Sequence, residues 1–197
     1  MIRFRLLILT LFSFSLKIAI AAEIDDAWIA YQNKDYKGAI SKFRTLAEQG
    51  DVKAQFMTAA MYHTGLGVIQ DYKVAAYWYQ LAATKGDLAA QFILGGLFDE
   101  GKGVIQDYKE AVRWYRIAAL KGDREAQNNL GRMYGNGQGV LQDYIRAHMW
   151  FNIAAVGGDK DSVKIRDIAA SKMTAQQIEQ AQRMARECMA SNYTKCD

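Results

Sequence analysis

The sequence from Tyr72 to Asp107 is YKVAAYWYQLAATKGDLAAQFILGGLFDEGKGVIQD, and the next 36 residues are YKEAVRWYRIAALKGDREAQNNLGRMYGNGQGVLQD. The two stretches align without a gap. An earlier copy begins at Tyr36, and Tyr144 begins a later copy that departs from the pattern after about Asp159. A period of this length, repeated at fixed phase, predicts stacked copies of one supersecondary unit.

Each copy is predicted to form two helices. The first helix follows an aspartate whose side chain can accept the free amide protons of the first turn; in the third copy this residue is Asp107. Apolar residues recur along this helix at spacings of three and four, as on a buried helical face. The aromatic residues Trp78, Trp114 and Trp150 fall in phase with the alanines of this face. They are therefore predicted to be core rather than a ligand cage.

Glycines separate the predicted helices. The first helix of each copy ends at a glycine, such as Gly86, where a left-handed residue closes a helix without a Cβ clash. We call the equivalent positions of successive copies a column. One column of the second helix holds the small residues Ala59, Gly95 and Gly131, which let two helices approach closely. A Gly-x-Gly-Val sequence follows. We interpret it as a turn, because the Gly-Lys-Ser/Thr of a phosphate-binding loop does not follow it.

The composition favours the same interpretation. The chain has 197 residues, of which 51% are hydrophobic and 23% charged, as expected for a folded protein. It has no proline, and its 16 glycines all lie between Gly38 and Gly158, which favours helices joined by glycine turns. Collagen-like, coiled-coil and disulfide-dense proteins are excluded. We expect a small soluble helical protein.

Residues 1–21 are predicted to be a signal peptide. A basic start from Met1 to Arg5 precedes an apolar run from Leu6 to Leu16, and small residues lead to a cleavage site near Ala21. The alternative is an uncleaved segment that attaches the protein to a membrane. Removal of the leader lowers the formal net charge from +4 to +1, so charge gives no reason to expect nucleic-acid binding. We expect a periplasmic or secreted protein with no membrane span after cleavage.

Together these columns resemble the Sel1-like repeat, a relative of the tetratricopeptide repeat, over residues 36–159. The resemblance implies an all-α fold, a right-handed α-solenoid of stacked antiparallel helix pairs with a cap at each end. One departure is that Ile69, Ile105 and Leu141 stand where members often have proline. The predicted segments after the leader are a capping helix over 22–35, repeats over 36–71, 72–107 and 108–143, a partial repeat over 144–172, and a closing helix with a tail over 173–197.

On the first helices, the residues opposite the alanine and aromatic face form a line along each helix, which we call the stripe. In tetratricopeptide-like solenoids the first helices line the concave groove, so by resemblance we expect this stripe to bind a partner protein. It changes from basic in the first three copies to apolar in the fourth, which favours an acidic peptide or loop with an apolar end. The alternative is an ordinary solvated face whose apolar end is covered by the last helix. The predicted groove residues are Lys37, Arg44, Lys73, Tyr77, Gln80, Lys109, Arg113, Arg116, Met149 and Asn152.

The sequence contains no evident catalytic or metal-binding motif. The two histidines lie at different phases of the repeat, whereas a metal site needs paired or repeating ligands. We expect His63 to be a polar residue near a loop and His148 to lie on the surface of its helix. Cysteine-rich family members associated with β-lactams carry a cysteine pair in every repeat, and this chain does not. We expect no cofactor, no metal and no enzymatic activity.

The two cysteines, Cys188 and Cys196, lie at the carboxyl end. In an oxidising compartment such a pair is expected to form a disulfide, and the Cys-x7-Cys ending is similar to the tails of secreted bacterial members of the family. The alternatives are one buried and one frayed thiol, or a metal site. The preceding segment is predicted to be a closing helix that begins with a capping box formed by Thr174 and Gln177.

These features favour a non-enzymatic exported module, an adaptor or regulator that binds a partner peptide or domain in its groove and is itself a monomer. Two other functions stay open. One is an enzyme or inhibitor of cell-wall chemistry, as in the β-lactam-binding branch of the family, and the other is a structural component of an envelope complex. The sequence shows no pair of nucleophile and base to support the enzymatic hypothesis.

Overall fold

The structure is a computed structural model, and it describes residues 23–156 and 158–196. Within these ranges all regular secondary structure is helical. The chain divides into two compact units, an amino-terminal unit that ends at Lys85 and a carboxy-terminal unit that begins at Gly86. The predicted signal peptide lies outside the described residues.

In its described part, the amino-terminal unit contains four helices. They are α1 over residues 23–32, α2 over Tyr36–Glu48, α3 over Val52–Thr64 and α4 over Tyr72–Thr84. Helix α3 packs on both α2 and α4. Phe43 of α2, Met61 of α3 and Tyr79 of α4 are buried in the core. Trp28 of α1 packs edge-on against Phe43, with 5.4 Å between the ring centres.

The carboxy-terminal unit contains six helices over residues 86–156 and 158–196. They are α5 over Leu88–Glu100, α6 over Tyr108–Ala119, α7 over Arg124–Asn136, α8 over Tyr144–Ala154, α9 over Lys160–Ala170 and α10 over Ala175–Ala190. Each helix from α5 to α8 packs on the next, whereas α10 packs on α8. Tyr115, Leu130, Met133 and Trp150 are buried in this core, which confirms that the tryptophan column is packed inside.

Aspartates start the helices as predicted. Asp107 accepts a hydrogen bond from the N–H of Lys109 at 2.9 Å, and Asp123 accepts one from the N–H of Ala126 at 2.7 Å. These contacts satisfy first-turn donors that have no partner within the helix. Helix α7 ends at Gly137, whose φ of 70° is left-handed. The same local signals therefore start and end the helices of successive copies.

The Gly-x-Gly-Val sequence forms a turn, as predicted. Gly139 has a φ of 71°, and a Cβ on it would lie 2.2 Å from the carbonyl oxygen of Tyr108 at the start of α6. Gly67 packs in the same way against Tyr36 at the start of α2. Only glycine permits both the backbone angle and this close approach. The second glycine thus fixes the end of the first copy and of the third copy onto its own beginning.

The closing helix α10 begins with the predicted capping box. The hydroxyl of Thr174 accepts a hydrogen bond from the N–H of Gln177 at 3.3 Å, and the Gln177 side chain accepts one from the N–H of Thr174 at 2.8 Å. The helix buries Ala181, Ala185 and Cys188. These small residues allow α10 to lie close against α8.

Candidate functional site

The predicted groove residues of the amino-terminal unit all lie at the surface. They are Lys37 and Arg44 on α2, and Lys73, Tyr77 and Gln80 on α4. The guanidinium group of Arg44 lies 3.7 Å from the carboxylate of Glu48, one turn later. Tyr77 is 57% exposed and packs edge-on against Trp78. This part of the stripe is therefore open to solvent.

On α6 the predicted stripe is less basic than its sequence indicates. Lys109 and Arg113 are exposed, whereas Arg116 is half-buried. Arg113 donates to both carboxylate oxygens of Glu110, at 3.1, 3.0 and 2.8 Å. Arg116 donates to the hydroxyl of Tyr134. Both guanidinium groups are thus held by neighbours within their own unit, and the charge of Arg113 is already matched by a carboxylate.

The fourth copy contradicts the predicted stripe at one residue. Met149 is fully buried, and Asn152 is half-buried. Met149 belongs to the same buried cluster as Ala181 and Ala185, because α10 packs on α8 at this end of the chain. The prediction that Met149 contacts a partner is therefore wrong.

The two histidines occupy different environments. His63 is half-buried near the end of α3, and its ring lies edge-on to Tyr72, 5.2 Å between centres. His148 is only 2% exposed, so its predicted surface position is wrong. Burial, followed by the charge of Arg166 on α9, lowers the pKa of His148, while Asp167 opposes this effect. Within residues 23–156 and 158–196, no cluster of three or more His, Cys, Asp or Glu residues could hold a metal ion.

A cleft of about 210 Å³ opens in the carboxy-terminal unit between α7, α8 and α9. Its most buried lining residues are Phe151 and Ala169, and Ile165 beside them is half-buried. Arg132 and Lys172 are exposed at its rim. The remaining lining residues are Gly135, Asn136, Tyr144 and Ile168. An apolar floor with a cationic rim is an arrangement that binds apolar groups joined to negative charge.

The cleft depends on side chains that the earlier copies lack. Arg132 and Ile168 occupy the column that holds Ala60 and Gly96 in the first two copies of the second helix. Larger residues at this column form the two walls of the cleft. Nothing in the first-helix stripe points to this site. The sequence signal that could have located the cleft is the change from small to large residues along the column of Ala60, Gly96, Arg132 and Ile168.

Asp99 fixes the position of Arg132 at the rim. A nitrogen of Arg132, Nη2, lies 2.7 Å from Oδ2 of Asp99, whose side chain is only 12% exposed. The hydroxyl of Tyr115 donates to the same oxygen at 3.4 Å. Burial first, and then the negative charge of Asp99, raise the pKa of the Tyr115 hydroxyl. That hydroxyl therefore stays protonated, and Arg132 is a positioned and partly neutralised cation.

Lys172 is the second cation of the rim. Its Nζ lies 3.4 Å from the hydroxyl of Tyr144 and 5.3 Å from the centre of the same ring. In the part of the chain that the structure describes, Lys172 has no carboxylate within ion-pair distance, and no acidic residue lines the cleft. Its charge is therefore matched by an aromatic ring alone.

A chain of hydrogen bonds joins α7 to the start of α9, one turn from the cleft. The side-chain nitrogen of Asn128 donates to Oγ of Ser162 at 2.8 Å, and Oγ of Ser162 donates to Oδ2 of Asp159 at 2.5 Å. These bonds from Ser162 lower the pKa of Asp159. Ser162 is fully buried in a column that holds alanine in the earlier copies, such as Ala126. The two walls of the cleft are thereby held in register.

Cys188 on α10 and Cys196 in the tail form a disulfide, as predicted. Both residues are buried, and the described chain contains no free cysteine, so the thiol and metal alternatives are excluded. Between them, Asn192 and Tyr193 adopt left-handed φ values of 53° and 64°. Tyr193 reaches the turn between α6 and α7, where a Cβ on Gly122 would lie 3.7 Å from its ring. The bridged tail thus packs against an earlier turn of the same unit.

No helix within residues 23–156 and 158–196 combines the length and the apolar character needed to cross a bilayer. The predicted leader and its cleavage site lie outside the described residues.

Several solved structures resemble this chain. The protein c5321, a protective antigen present in uropathogenic Escherichia coli strains and displaying an SLR fold, is 37% identical with a TM-score of 0.71. The match covers 79% of this chain and 34% of that protein, so this chain spans about a third of its length. A Sel1 repeat protein from Oxalobacter formigenes is 33% identical with a TM-score of 0.66, over 86% of this chain and 73% of that protein. A comparison with curated proteins finds no match.

The profile of the Sel1 repeat matches three consecutive segments, over residues 52–87, 88–123 and 124–159. They cover more than half of the chain and have the predicted period. The family's repeat, however, starts half a copy later than the copies defined above, at the helices α3, α5 and α7. The all-helical structure and its neighbours confirm the predicted all-α fold of the α-solenoid class. The chain belongs to the Sel1 repeat family.

Proposed function

We propose that this chain is an exported, non-enzymatic module that binds a partner protein and acts as an adaptor or regulator. Sel1 repeats generally serve as protein-interaction modules. The observation that carries the proposal is a contrast between columns. The column of Trp78, Trp114 and Trp150 is buried in the second to fourth copies, whereas the column of Ser41, Tyr77 and Arg113 varies and is exposed in the first to third copies. At buried positions the residue type is constrained by packing, whereas exposed positions that vary between copies are free to contact a partner protein.

Two surfaces are candidates for partner binding. The first is the exposed stripe on α2, α4 and α6, without Met149. The second is presented by α5, α7 and α9 of the carboxy-terminal unit. The resemblance implied a partner surface on first helices, and the family's repeat begins at residues 52, 88 and 124, so its first helices are α3, α5 and α7. This phase favours the second surface.

Charge alone does not choose between the two surfaces, because Lys37, Lys73 and Lys109 on the stripe are exposed and also have no carboxylate partner among the described residues. On the stripe, the guanidinium of Arg113 is already paired with Glu110, and that of Arg44 lies near Glu48. Exposed pairs of this kind contribute little attraction for a further carboxylate. In the cleft, Lys172 likewise has no carboxylate partner among the described residues.

Export is supported by two features. The apolar run after a basic start is typical of a signal peptide, and the disulfide between Cys188 and Cys196 is typical of proteins from oxidising compartments. We place the mature protein in the periplasm or outside the cell. In either location the protein can contact envelope proteins and other exported proteins.

The experiment is a crosslinking pull-down from the exported fractions with the mature protein. It compares the parent with a stripe variant carrying Lys73→Glu, Lys109→Glu and Arg113→Glu. A matched variant carries Lys34→Glu, Arg186→Glu and Lys195→Glu, which are exposed, lie outside both candidate surfaces and give the same change in charge. All three proteins must first show the same far-UV circular dichroism and the same unfolding midpoint.

We expect a partner that the parent and the matched variant both capture. Loss of the partner by the stripe variant assigns binding to the stripe. Retention excludes the stripe and leaves the α5, α7 and α9 surface, the loops and the caps. Absence of any specific partner in both exported fractions would overturn the interaction-module proposal. Acylation of the protein by a labelled β-lactam would also overturn it, in favour of the enzymatic alternative.

A further inference from the structure

We propose that the cleft between α7, α8 and α9 binds one bulky apolar side chain of a partner polypeptide together with an adjacent carboxylate. This inference rests on the proposed function and names the chemistry that one part of the surface recognises. The apolar side chain fills the floor against Phe151 and Ile165. The carboxylate is bound at the rim by Lys172, beside Arg132.

The size of the cleft selects a side chain rather than a larger ligand. Its volume of about 210 Å³ is below the ~300–1,000 Å³ of pockets that enclose drug-sized molecules or cofactors. The space matches one large aliphatic or aromatic side chain. Partner residues inserted into such pockets commonly dominate the binding free energy of an interface.

The floor exposes apolar surface that the described chain leaves uncovered. Ile168 is 53% exposed at the edge of the cleft, next to the buried Ala169 and Phe151. Exposed apolar area of this kind gains about 25 cal/mol per Å² when it is removed from water. In the first two copies the same column holds Ala60 and Gly96. The large side chains that form the cleft are therefore a feature of the last copies and are absent from the first two.

The rim selects for negative charge. The cleft is lined by two cations, Arg132 and Lys172, and by no acidic residue. Asp99 pairs with Arg132 and leaves Lys172 matched only by the ring of Tyr144. A partner carboxylate near Lys172 gains an ion pair, whereas a partner cation is repelled by both rim residues. Charge complementarity of this kind governs specificity more than affinity.

The cleft is pre-organised for binding. Ser162 joins α7 to the start of α9 through Asn128 and Asp159, and Asp99 holds Arg132 in place. Groups that are already positioned lose little conformational freedom when a ligand binds. We therefore expect binding to move side chains at the rim without separating the two helices.

The test uses four-residue capped peptides and the full mature chain labelled for NMR. The probe is acetyl-Gly-Asp-Phe-Gly-amide, and the comparison peptides replace Asp by Asn or Phe by Ala. We expect chemical-shift changes confined to α7, α8 and α9. Loss of the ring should weaken binding about tenfold, and loss of the carboxylate about threefold, and added salt should abolish the second difference.

Matched variants of the protein locate the site. Ile168→Asp and Lys172→Glu change exposed cleft residues, and Lys164→Glu is the control on the same helix, exposed and outside the cleft lining. We expect Ile168→Asp to abolish the shifts, Lys172→Glu to remove the preference for Asp over Asn, and Lys164→Glu to behave like the parent. Unchanged amide spectra away from α9 establish that each variant is folded.

Two results would overturn the inference. One is the absence of localised shifts at millimolar probe, and the other is unchanged binding by Ile168→Asp. Neither result bears on the proposed function, which depends on partner capture by the parent. If the pull-down yields a partner that Ile168→Asp still captures, the interaction-module proposal stands and the cleft inference fails.

Discussion

Gly131 on α7 lies directly against the ring of Phe151 on α8, so that a Cβ on residue 131 would come within 2.6 Å of Cε1. Gly95 on α5 has the same relationship to Tyr115 on α6, at 2.7 Å from Cδ1. Both contacts place an aromatic ring over the backbone of the preceding helix. The column of small residues therefore sets how closely the paired helices pack within this unit.

Replacement of Gly131 by alanine is predicted to destabilise the protein by about 1 kcal/mol. The gain in helix propensity is about 1 kcal/mol, but overpacking against the buried Phe151 ring costs roughly 1–3 kcal/mol. Gly135→Ala, on the same helix, is the control, because its Cβ would lie an ordinary 3.7 Å from Ala147. We expect Gly135→Ala to be stabilising. Urea unfolding measures both, and a stable Gly131→Ala would show that the ring moves aside.

Thr58→Val is predicted to stabilise the protein by about 1 kcal/mol. Thr58 is fully buried, and its hydroxyl has no hydrogen-bond partner, at a column where the next two copies have Leu94 and Leu130. Valine has nearly the same shape and removes an unsatisfied polar group. Thr64→Val is the control, because its exposed hydroxyl donates to the carbonyl of Ala60 at 2.8 Å.

The urea midpoint should rise for Thr58→Val with an unchanged slope, and it should not rise for Thr64→Val. A midpoint for Thr58→Val at or below that of the parent would mean that the buried hydroxyl costs nothing in this core.

The fold was predictable from the sequence because each local signal recurs. The aspartate cap of α6, the turn at Gly139 and the burial of Trp114 follow from local patterns, and copies at one period repeat them. Site residues were harder to predict because they depend on the last copy. His148 and Met149 are buried where α9 and α10 pack on α8. The packing of α9 on α8 repeats that of α3 on α2 and α7 on α6, but α10 is a helix outside the repeat, so the repeated columns do not predict its contact with α8.

Replacement of Cys188 and Cys196 by serine is predicted to destabilise the protein by about 2.5 kcal/mol, the chain-entropy value for a closed segment of this length. The loss should fall on the tail first, because Asn192 and Tyr193 hold left-handed φ values that cost free energy. Hydrogen exchange should therefore accelerate at the tail amides and at the last turn of α10. Exchange should be unchanged in the amino-terminal unit. Uniform acceleration over both units would contradict a local role for the bridge.

The stability of the protein is predicted to fall as the pH decreases below about 6.5, because of His148. Burial and the charge of Arg166 lower the pKa of His148 in the folded state, so the unfolded chain, with an ordinary histidine pKa of about 6.5, takes up the proton first. The contribution of His148 is thus fully present above that value and is lost progressively as the pH falls from there toward the lower folded pKa. Asp159, whose pKa is also lowered, contributes only under more acidic conditions.

The measurement is the free energy of unfolding in urea between pH 5 and pH 8 for the parent and His148→Gln. We expect a positive slope with pH for the parent below about pH 6.5 and a flatter curve for the variant, whatever its absolute stability. The comparison of slopes separates the titration of His148 from the packing change at α8. Parallel curves for the two proteins would show that His148 is protonated in the folded state as readily as in the unfolded chain, so that its burial against α9 leaves its pKa unchanged.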